Sequence, residues 1–249
     1  MRTPDLGYLR ERLSARLFAG VVDFLGGAHA RHRAGRQDPA FFVPDLPSKP
    51  WHDRGDFAWA ARIEAATVDV AGEFARLGRN GGLREYEEPG KPLQEYASWQ
   101  MFYFSESVVF DPTAFADNAA MCPRTVALLA TIPRVTGLCA FSVLQPGVHI
   151  RAHHGVTNAR WRCHLPLCGT AGASMRVADE TRGWQPGRLT AFDDSFDHEV
   201  WHRGIAERVV LTFDVWAPDL TDEELAAAAR LPDWLARQQR ASQVTGTRR

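Results

Sequence analysis

The chain of 249 residues lacks any apolar run long enough to cross a bilayer. The stretch "RLFAGVVDFLGGAHA" is interrupted by Asp23. Ala28-His29-Ala30 resembles a signal-peptidase site, but Asp5 and Glu11 lie among the preceding arginines, so the segment reads as an amphipathic helix rather than a leader. Four cysteines occur, Cys122, Cys139, Cys163 and Cys168, and no two have CxxC spacing. That excludes a zinc knuckle and leaves too few thiols for a disulfide framework, so buried free thiols in a reducing cytoplasm are expected. Excess charge is also missing. A formal net charge of −1 gives no reason to expect nucleic acid or an anionic membrane as partner. There is no internal repeat and no low-complexity segment. The length suits one domain with decorations.

What is present changes character along the chain. Leu9, Leu13, Leu17, Val21 and Leu25 recur at four-residue steps, which predicts a helical piece over residues 7–36. A proline-broken loop, "GRQDPAFFVPDLPSKPW", follows. A helix is expected from Asp56 to near Gly78, a strand within residues 97–110, and a helix broken at Pro123. From Gly137 onward, "LCAFSVL", "HIRAH", "WRCHLPL", "SMRVAD", "LTAFDD", "HEVWH" and "RVVLTFDVW" alternate with turn residues. A closing helix begins at "LTDEELAAAARLPDWLARQQ", where Thr221 and Glu224 make a capping-box pattern. Many short strands flanked by helices predict a mainly β protein with a double-stranded β-helix core, a cupin-like jelly roll. The expected division is a helical extension over 1–40, the jelly-roll domain with its helical part over 41–221, and a C-terminal helix and tail over 222–249.

"GVHIRAHHGVTNARWRCHLPL" holds four of the nine histidines, His149, His153, His154 and His164, and contains neither Asp nor Glu. A second group, His198 and His202, lies in "FDDSFDHEVWHRG", and His198 follows His153 by forty-five residues. Metal sites in jelly rolls draw ligands from an early and a late strand, and non-heme iron oxygenases use two histidines and a carboxylate. Here the early pattern is His153-His154-Gly155, with no acid. Spacing alone leaves His153 and His154 open as ligands. His149 and His202 read as structural, and "FDDSF" as a turn in which Asp and Ser side chains accept from backbone N–H groups. Arg160, Arg162 and His164 fall on one strand face, where inward cations need an anion to meet them.

At these motifs the sequence resembles the aspartyl/asparaginyl β-hydroxylase family. "SVLQPGVHIRAHHGVTNARWRCHLPL", "ETRGWQPGRLTAFDDSFDHEVWH" and "DVWAPDLT" carry the resemblance, which spans roughly Phe41 to Thr221. It departs at Ala152, where the family has Pro, at Ala217, where it has His, and at "HLPLCG" in place of "HLGL". The resemblance implies an oxygenase dependent on Fe(II), 2-oxoglutarate and O2, with iron held by two histidines and water in place of the carboxylate. By position the metal ligands and catalytic centre are His153 and His198, and His154 points the other way. Arg208 with Ser142 is implied for the distal carboxylate of 2-oxoglutarate, Arg162 and His164 for its iron-chelating end, and Arg160 for substrate.

The expected function is hydroxylation of an unactivated carbon in an amino acid, a peptide or another small molecule, with no nucleic-acid or membrane partner. Two rivals share the fold. One is a cupin-like metalloenzyme that does not use 2-oxoglutarate and so has no need of Arg208. The other is a non-catalytic jelly roll that binds an anion, whose histidines are structural.

Overall fold

The computed structural model describes residues 6–11, 13–26, 37–39, 41–78, 82–86, 94–95 and 98–228. Seven α-helices are present among them: α1 (Leu6–Arg10), α2 (Ala15–Gly26), α3 (Ala60–Ala65), α4 (Thr67–Leu77), α5 (Ala116–Met121), α6 (Pro123–Ala130) and α7 (Asp222–Ala228). The strands are β1 (Trp51–His52), β2 (Arg84–Glu85), β3 (Gln94–Glu95), β4 (Trp99–Ser105), β5 (Val135–Leu144), β6 (His149–His153), β7 (Arg160–Cys168), β8 (Ala173–Val177), β9 (Glu180–Gly183), β10 (Thr190–Phe192), β11 (His198–His202) and β12 (Arg208–Trp216).

They form two antiparallel sheets, in the orders β1-β10-β7-β12-β5-β4-β2 and β3-β6-β11-β8-β9. From β5 to β12 the chain steps back and forth between the sheets, with β8 and β9 taken together. This is the double winding of a jelly roll. Alternation along the strands explains the layers. In β12, Val209, Leu211, Phe213 and Val215 join a core shared with Leu17, Ile63, Val70 and Leu129 of the helices. Arg208, Thr212 and Asp214 turn to the opposite face, toward the second sheet. In β7, Trp161, Cys163 and Leu165 likewise face the helices, which leaves Arg162 and His164 inside. Between the sheets a second cluster, including Leu144, Ile150, Met175, Phe192 and Val200, closes the barrel.

The helices differ from expectation in detail. The predicted helix over 56–78 is two, divided at Ala66, where the Thr67 hydroxyl donates to the Glu64 carbonyl (2.6 Å). The strand sought within 97–110 ends at Ser105. In the N-terminal piece Leu9, Leu17 and Val21 are buried, but Leu25 is exposed; the remainder of that expected helix, and the chain after α7, lie outside the described residues. Thr221 caps α7 as its pattern predicts. Glu224 N–H donates to Thr221 Oγ1 (3.2 Å) and Thr221 N–H to Glu224 Oε2 (3.0 Å). Glu224 also accepts from Ser14 Oγ (2.5 Å) and Arg16 Nε (2.7 Å), which ties α2 to α7.

Residues 37–39 and 41–43 pack against the loops of the barrel. Gln37 bridges to Phe196 and Phe41 to Thr157. The Asn158 carboxamide accepts from Val43 N–H (2.8 Å) and donates to Val43 O (2.9 Å).

Candidate active site

His153 ends β6 and His198 begins β11, and the two are paired directly across the antiparallel ladder. Their ring centroids lie 4.0 Å apart with planes inclined at 50°. A register shift between His198 and Val200, a bulge of the kind that re-aims side chains, follows at once. Each ring is oriented alike: Nδ1 faces a carbonyl two residues earlier, Arg151 O at 2.8 Å for His153 and Phe196 O at 2.9 Å for His198. A carbonyl only accepts, so Nδ1 carries the proton and Nε2 carries the lone pair in both. Burial, with His153 as neighbour, drives the pKa of His198 well below its ordinary value and keeps it neutral. His154 lies beyond the strand and is exposed.

Among the described residues no group of three or more His, Cys, Asp and Glu side chains is arranged to hold a metal ion. Space beside the pair explains why no acid stands at 155. A Cβ on Gly155 would lie 2.2 Å from Oδ1, 2.3 Å from Cγ and 2.5 Å from Oδ2 of Asp194. The Asp194 carboxylate therefore fills the volume where a side chain at 155 would begin. Asp194 is held by Arg162 Nη2 at 3.1 Å. Burial raises its pKa, against the pull of Arg162.

His153 and His198 line a cavity that is partly open to solvent. Ser142, Arg162, His164 and Arg208 line the same cavity; Arg160 does not. At its inner end Arg208 is 2 % exposed, and neither its Nε nor its Nη1 has a hydrogen-bond partner. Burial alone pulls its pKa down to about 9. The guanidinium carbon sits 5.0 Å from the centroid of the Trp184 ring. Ser142 Oγ accepts from Trp99 Nε1 (3.0 Å), and His164 Nδ1 accepts from Trp184 Nε1 (3.2 Å). Thr212 Oγ1, on the same wall, is buried without a partner. These donors converge on a space that lacks an acceptor, which is the chemistry of an anion site.

Arg162 occupies different surroundings. Its Nε donates to Asp214 Oδ1 (2.9 Å) and its Nη2 to Asp214 Oδ2 (3.2 Å), and Nη2 also forms the ion pair with Asp194. Burial works against its charge, but Asp214 and Asp194 outweigh it and raise the pKa. Arg160 lies 3.7 Å from Asp214 Oδ2, over Gly137, whose own Cβ would come within 2.3 Å of Arg160 Nη1. Asp214 is thus the hinge of the charged rim, and sequence reasoning missed it. The available signal was that Arg208, Thr212 and Asp214, the polar residues of an otherwise apolar strand, share one face of it.

The structural readings of other residues hold in their surroundings. His149 Nε2 meets Glu199 Oε1 (2.7 Å) and its ring stacks on Trp201. His202 is buried, with Nε2 donating to Ala206 O (2.6 Å). Asp193 Oδ1 accepts from the N–H (2.9 Å) and hydroxyl (2.5 Å) of Ser195, the turn foreseen in "FDDSF". Cys122, Cys139 and Cys163 are buried free thiols, whereas Cys168 is exposed. No helix among the described residues is long and apolar enough to cross a membrane.

Comparison with known proteins bears on this arrangement. Human aspartate beta-hydroxylase domain-containing protein 2 is 34% identical over 215 residues, covering 81% of this chain and 56% of the relative. Mouse aspartyl/asparaginyl beta-hydroxylase is 36% identical over 204 residues, 76% of this chain and 26% of the relative. The ornithine lipid ester-linked acyl 2-hydroxylase of Rhizobium tropici is 30% identical over 196 residues, 76% of this chain and 66% of the relative. The chain thus spans about half or less of the first two. Residues 64–218, which include the paired histidines and every cavity residue from β5 to β12, match the family described as Aspartyl/Asparaginyl beta-hydroxylase, and the chain belongs to that family.

Proposed function

We propose that the protein is an Fe(II)- and 2-oxoglutarate-dependent dioxygenase that hydroxylates an unactivated carbon of an amino acid, a peptide or another small molecule. The observation that carries this reading is a single cavity lined both by two like-oriented imidazoles and by a buried guanidinium whose Nε and Nη1 have no partner. The residues fit the cofactors. His153 and His198 would hold iron through Nε2, with their Nδ1 protons engaged by backbone carbonyls as metal-binding histidines require. Arg208 and Ser142 would take the distal carboxylate of 2-oxoglutarate, since a guanidinium fork matches a carboxylate in geometry and charge.

Bound iron, 2-oxoglutarate and O2 together supply the oxidising power that replaces an unactivated C–H bond by C–OH, with succinate and carbon dioxide as co-products. The chain's own residues bind, orient and exclude water. His164 would present its Nε2–H to the chelating end of the cosubstrate. Arg162, its Nε and Nη2 taken by Asp214 and Asp194, keeps Nη1 for that end. Arg160 stands outside the cavity lining at the rim, where a substrate would enter. Phe192, Val200 and Met175 give the cavity apolar walls. Aspartyl and asparaginyl residues and an ester-linked acyl chain appear in the names of the relatives, so the substrate here is sought among amino acids, peptides and acyl esters. Buried thiols fit a cytoplasmic setting.

The test is succinate release from 2-oxoglutarate with Fe(II), screened over amino acids and peptides. Turnover that depends on iron and is abolished by His198→Ala supports the proposal. A folded protein that neither turns over 2-oxoglutarate nor gains thermal stability from it with iron overturns the proposal, in favour of a jelly roll with another ligand.

A further inference from the structure

Trp184 follows β9 and is 5 % exposed, with its ring in the wall of the cavity. An indole nitrogen can only donate, and a buried indole N–H needs an acceptor. The acceptor here is Nδ1 of His164, at 3.2 Å. A neutral imidazole has one donor and one acceptor nitrogen, so the proton of His164 must sit on Nε2. An imidazolium would set two N–H groups against each other at this contact. Burial and the charges of Arg208 and Arg162 also push the pKa of His164 well below its ordinary value. Among the described residues no protein group accepts from that Nε2–H. The face of the same indole lies 5.0 Å from the Arg208 guanidinium carbon, which leaves Nε and Nη1 of Arg208 without a protein acceptor. A carboxylate in that place would have consumed those donors; an aromatic face supports the cation and leaves them available.

We propose that Trp184 is a positioning residue for the acid-binding end of the cavity: its N–H locks His164 in the Nε2–H tautomer and its ring face holds Arg208, so that both present donors to one 2-oxo acid. The inference rests on the proposed use of 2-oxoglutarate for its ligand, but its structural half does not. The decisive variant is Trp184→Phe, which keeps an aromatic face and removes the N–H.

Two measurements are needed. The first is nitrogen-15 NMR of histidine-labelled protein without iron or cosubstrate, with His164 assigned from the His164→Gln spectrum. Wild type is expected to show His164 as the neutral Nε2–H form, and Trp184→Phe a mixture of tautomers. The second is steady-state kinetics, in which Trp184→Phe is expected to raise the KM for 2-oxoglutarate about tenfold, the value of one lost donor to a charged ligand, and to change kcat less than about twofold. A residue that merely fills space would lower thermal stability and leave tautomer and KM unchanged. That result overturns the proposal. So does a wild-type spectrum with His164 protonated on Nδ1, which is readable even where Trp184→Phe fails to fold. A wild-type protein with the expected tautomer but no turnover of 2-oxoglutarate would instead overturn the choice of ligand.

Discussion

Replacing Gly155 by alanine tests the packing that distinguishes this site from one with three protein ligands. The added methyl carbon would sit 2.2 Å from Asp194 Oδ1, where ordinary van der Waals contact begins at 3.4 Å. The carboxylate must therefore retreat by about 1.2 Å, since interiors are close-packed and the overlap involves all three of its heavy atoms. Its 3.1 Å contact with Arg162 would lengthen beyond ion-pair range. Gly155 has no positive φ, so the backbone imposes no penalty of its own, and the whole effect should pass through Asp194. Breaking a buried charge pair costs about 3–5 kcal/mol where the remaining charge is left alone. Arg162 keeps Asp214, so the expected loss is at the lower end, about 2–3 kcal/mol.

The assay is urea denaturation of wild type, Gly155→Ala, Asp194→Ala and the double variant. If the two residues compete for one volume, Gly155→Ala should cost little once Asp194 is already truncated, giving a coupling of about 2 kcal/mol. Strict additivity, or a Gly155→Ala protein as stable as wild type, would refute the reasoning. The same geometry says that Gly155→Asp will not build a third ligand, and iron titration should show no gain in affinity over wild type.

Four further predictions rest on other contacts. Arg208→Met should raise the KM for 2-oxoglutarate roughly a hundredfold, as expected for a lost bidentate pair worth about 3 kcal/mol. It should also stabilise the ligand-free protein by about 1–3 kcal/mol, because it removes a buried cation without a counter-ion, and calorimetry of the ligand-free variant checks the sign. Either His153→Ala or His198→Ala should abolish the rise in melting temperature on adding Fe(II) anaerobically; a retained shift would place the metal elsewhere. Arg16, Ser14 and Thr221 N–H hold the Glu224 pKa down at about 2. The ionised carboxylate stabilises the native state fully above its ordinary value near 4.5, and that contribution is lost as pH falls toward 2. Arg16→Ala should therefore cost about 1–3 kcal/mol at pH 6 and flatten the acid limb of the stability curve; an unchanged limb would show that the pair is inert. Gln37→Ala removes the carboxamide that donates to Asp193 Oδ2 (3.1 Å) and Ser195 Oγ (2.8 Å) in the turn before His198. It should weaken Fe(II) binding measured by isothermal titration, and equal affinity would limit Gln37 to a packing role.

Strands whose alternation is bounded by turn residues were legible in the chain itself. "HIRAH", "HEVWH" and "RVVLTFDVW" coincide residue for residue with β6, β11 and β12. β9 was not, because "ETRG" is polar, lies at a sheet edge and becomes a strand only through its pairing with β8. The division of α3 from α4 has no proline or glycine to announce it. Every cavity residue expected from resemblance lines the cavity except Arg160, yet the partners that define their roles were hidden. Asp214 lies 52 positions from Arg162, and Trp184 lies 20 from His164. Such pairings follow from sheet order and register, and local propensity is blind to both. Alternation does mark Asp214 as inward-facing in β12, but only the β12–β7 register, Asp214 opposite Arg162, identifies what it meets.

The distribution of charge within the barrel separates structure from function. Arg160 and Arg162 stand with Asp194 and Asp214, two cations with two carboxylates, so the charge that Arg162 brings to the cavity is balanced by the chain alone. Arg208 is more deeply buried than either, yet it meets an aromatic face, a hydroxyl-bearing wall and no carboxylate. Folding gains nothing from that arrangement, since an uncompensated buried cation opposes it. A leucine or methionine would fill the place at lower cost. An arginine held there with Nε and Nη1 free is what the proposed anion site requires, and on that reading the substrate carbon is to be sought in the cavity that Arg208 shares with the paired histidines.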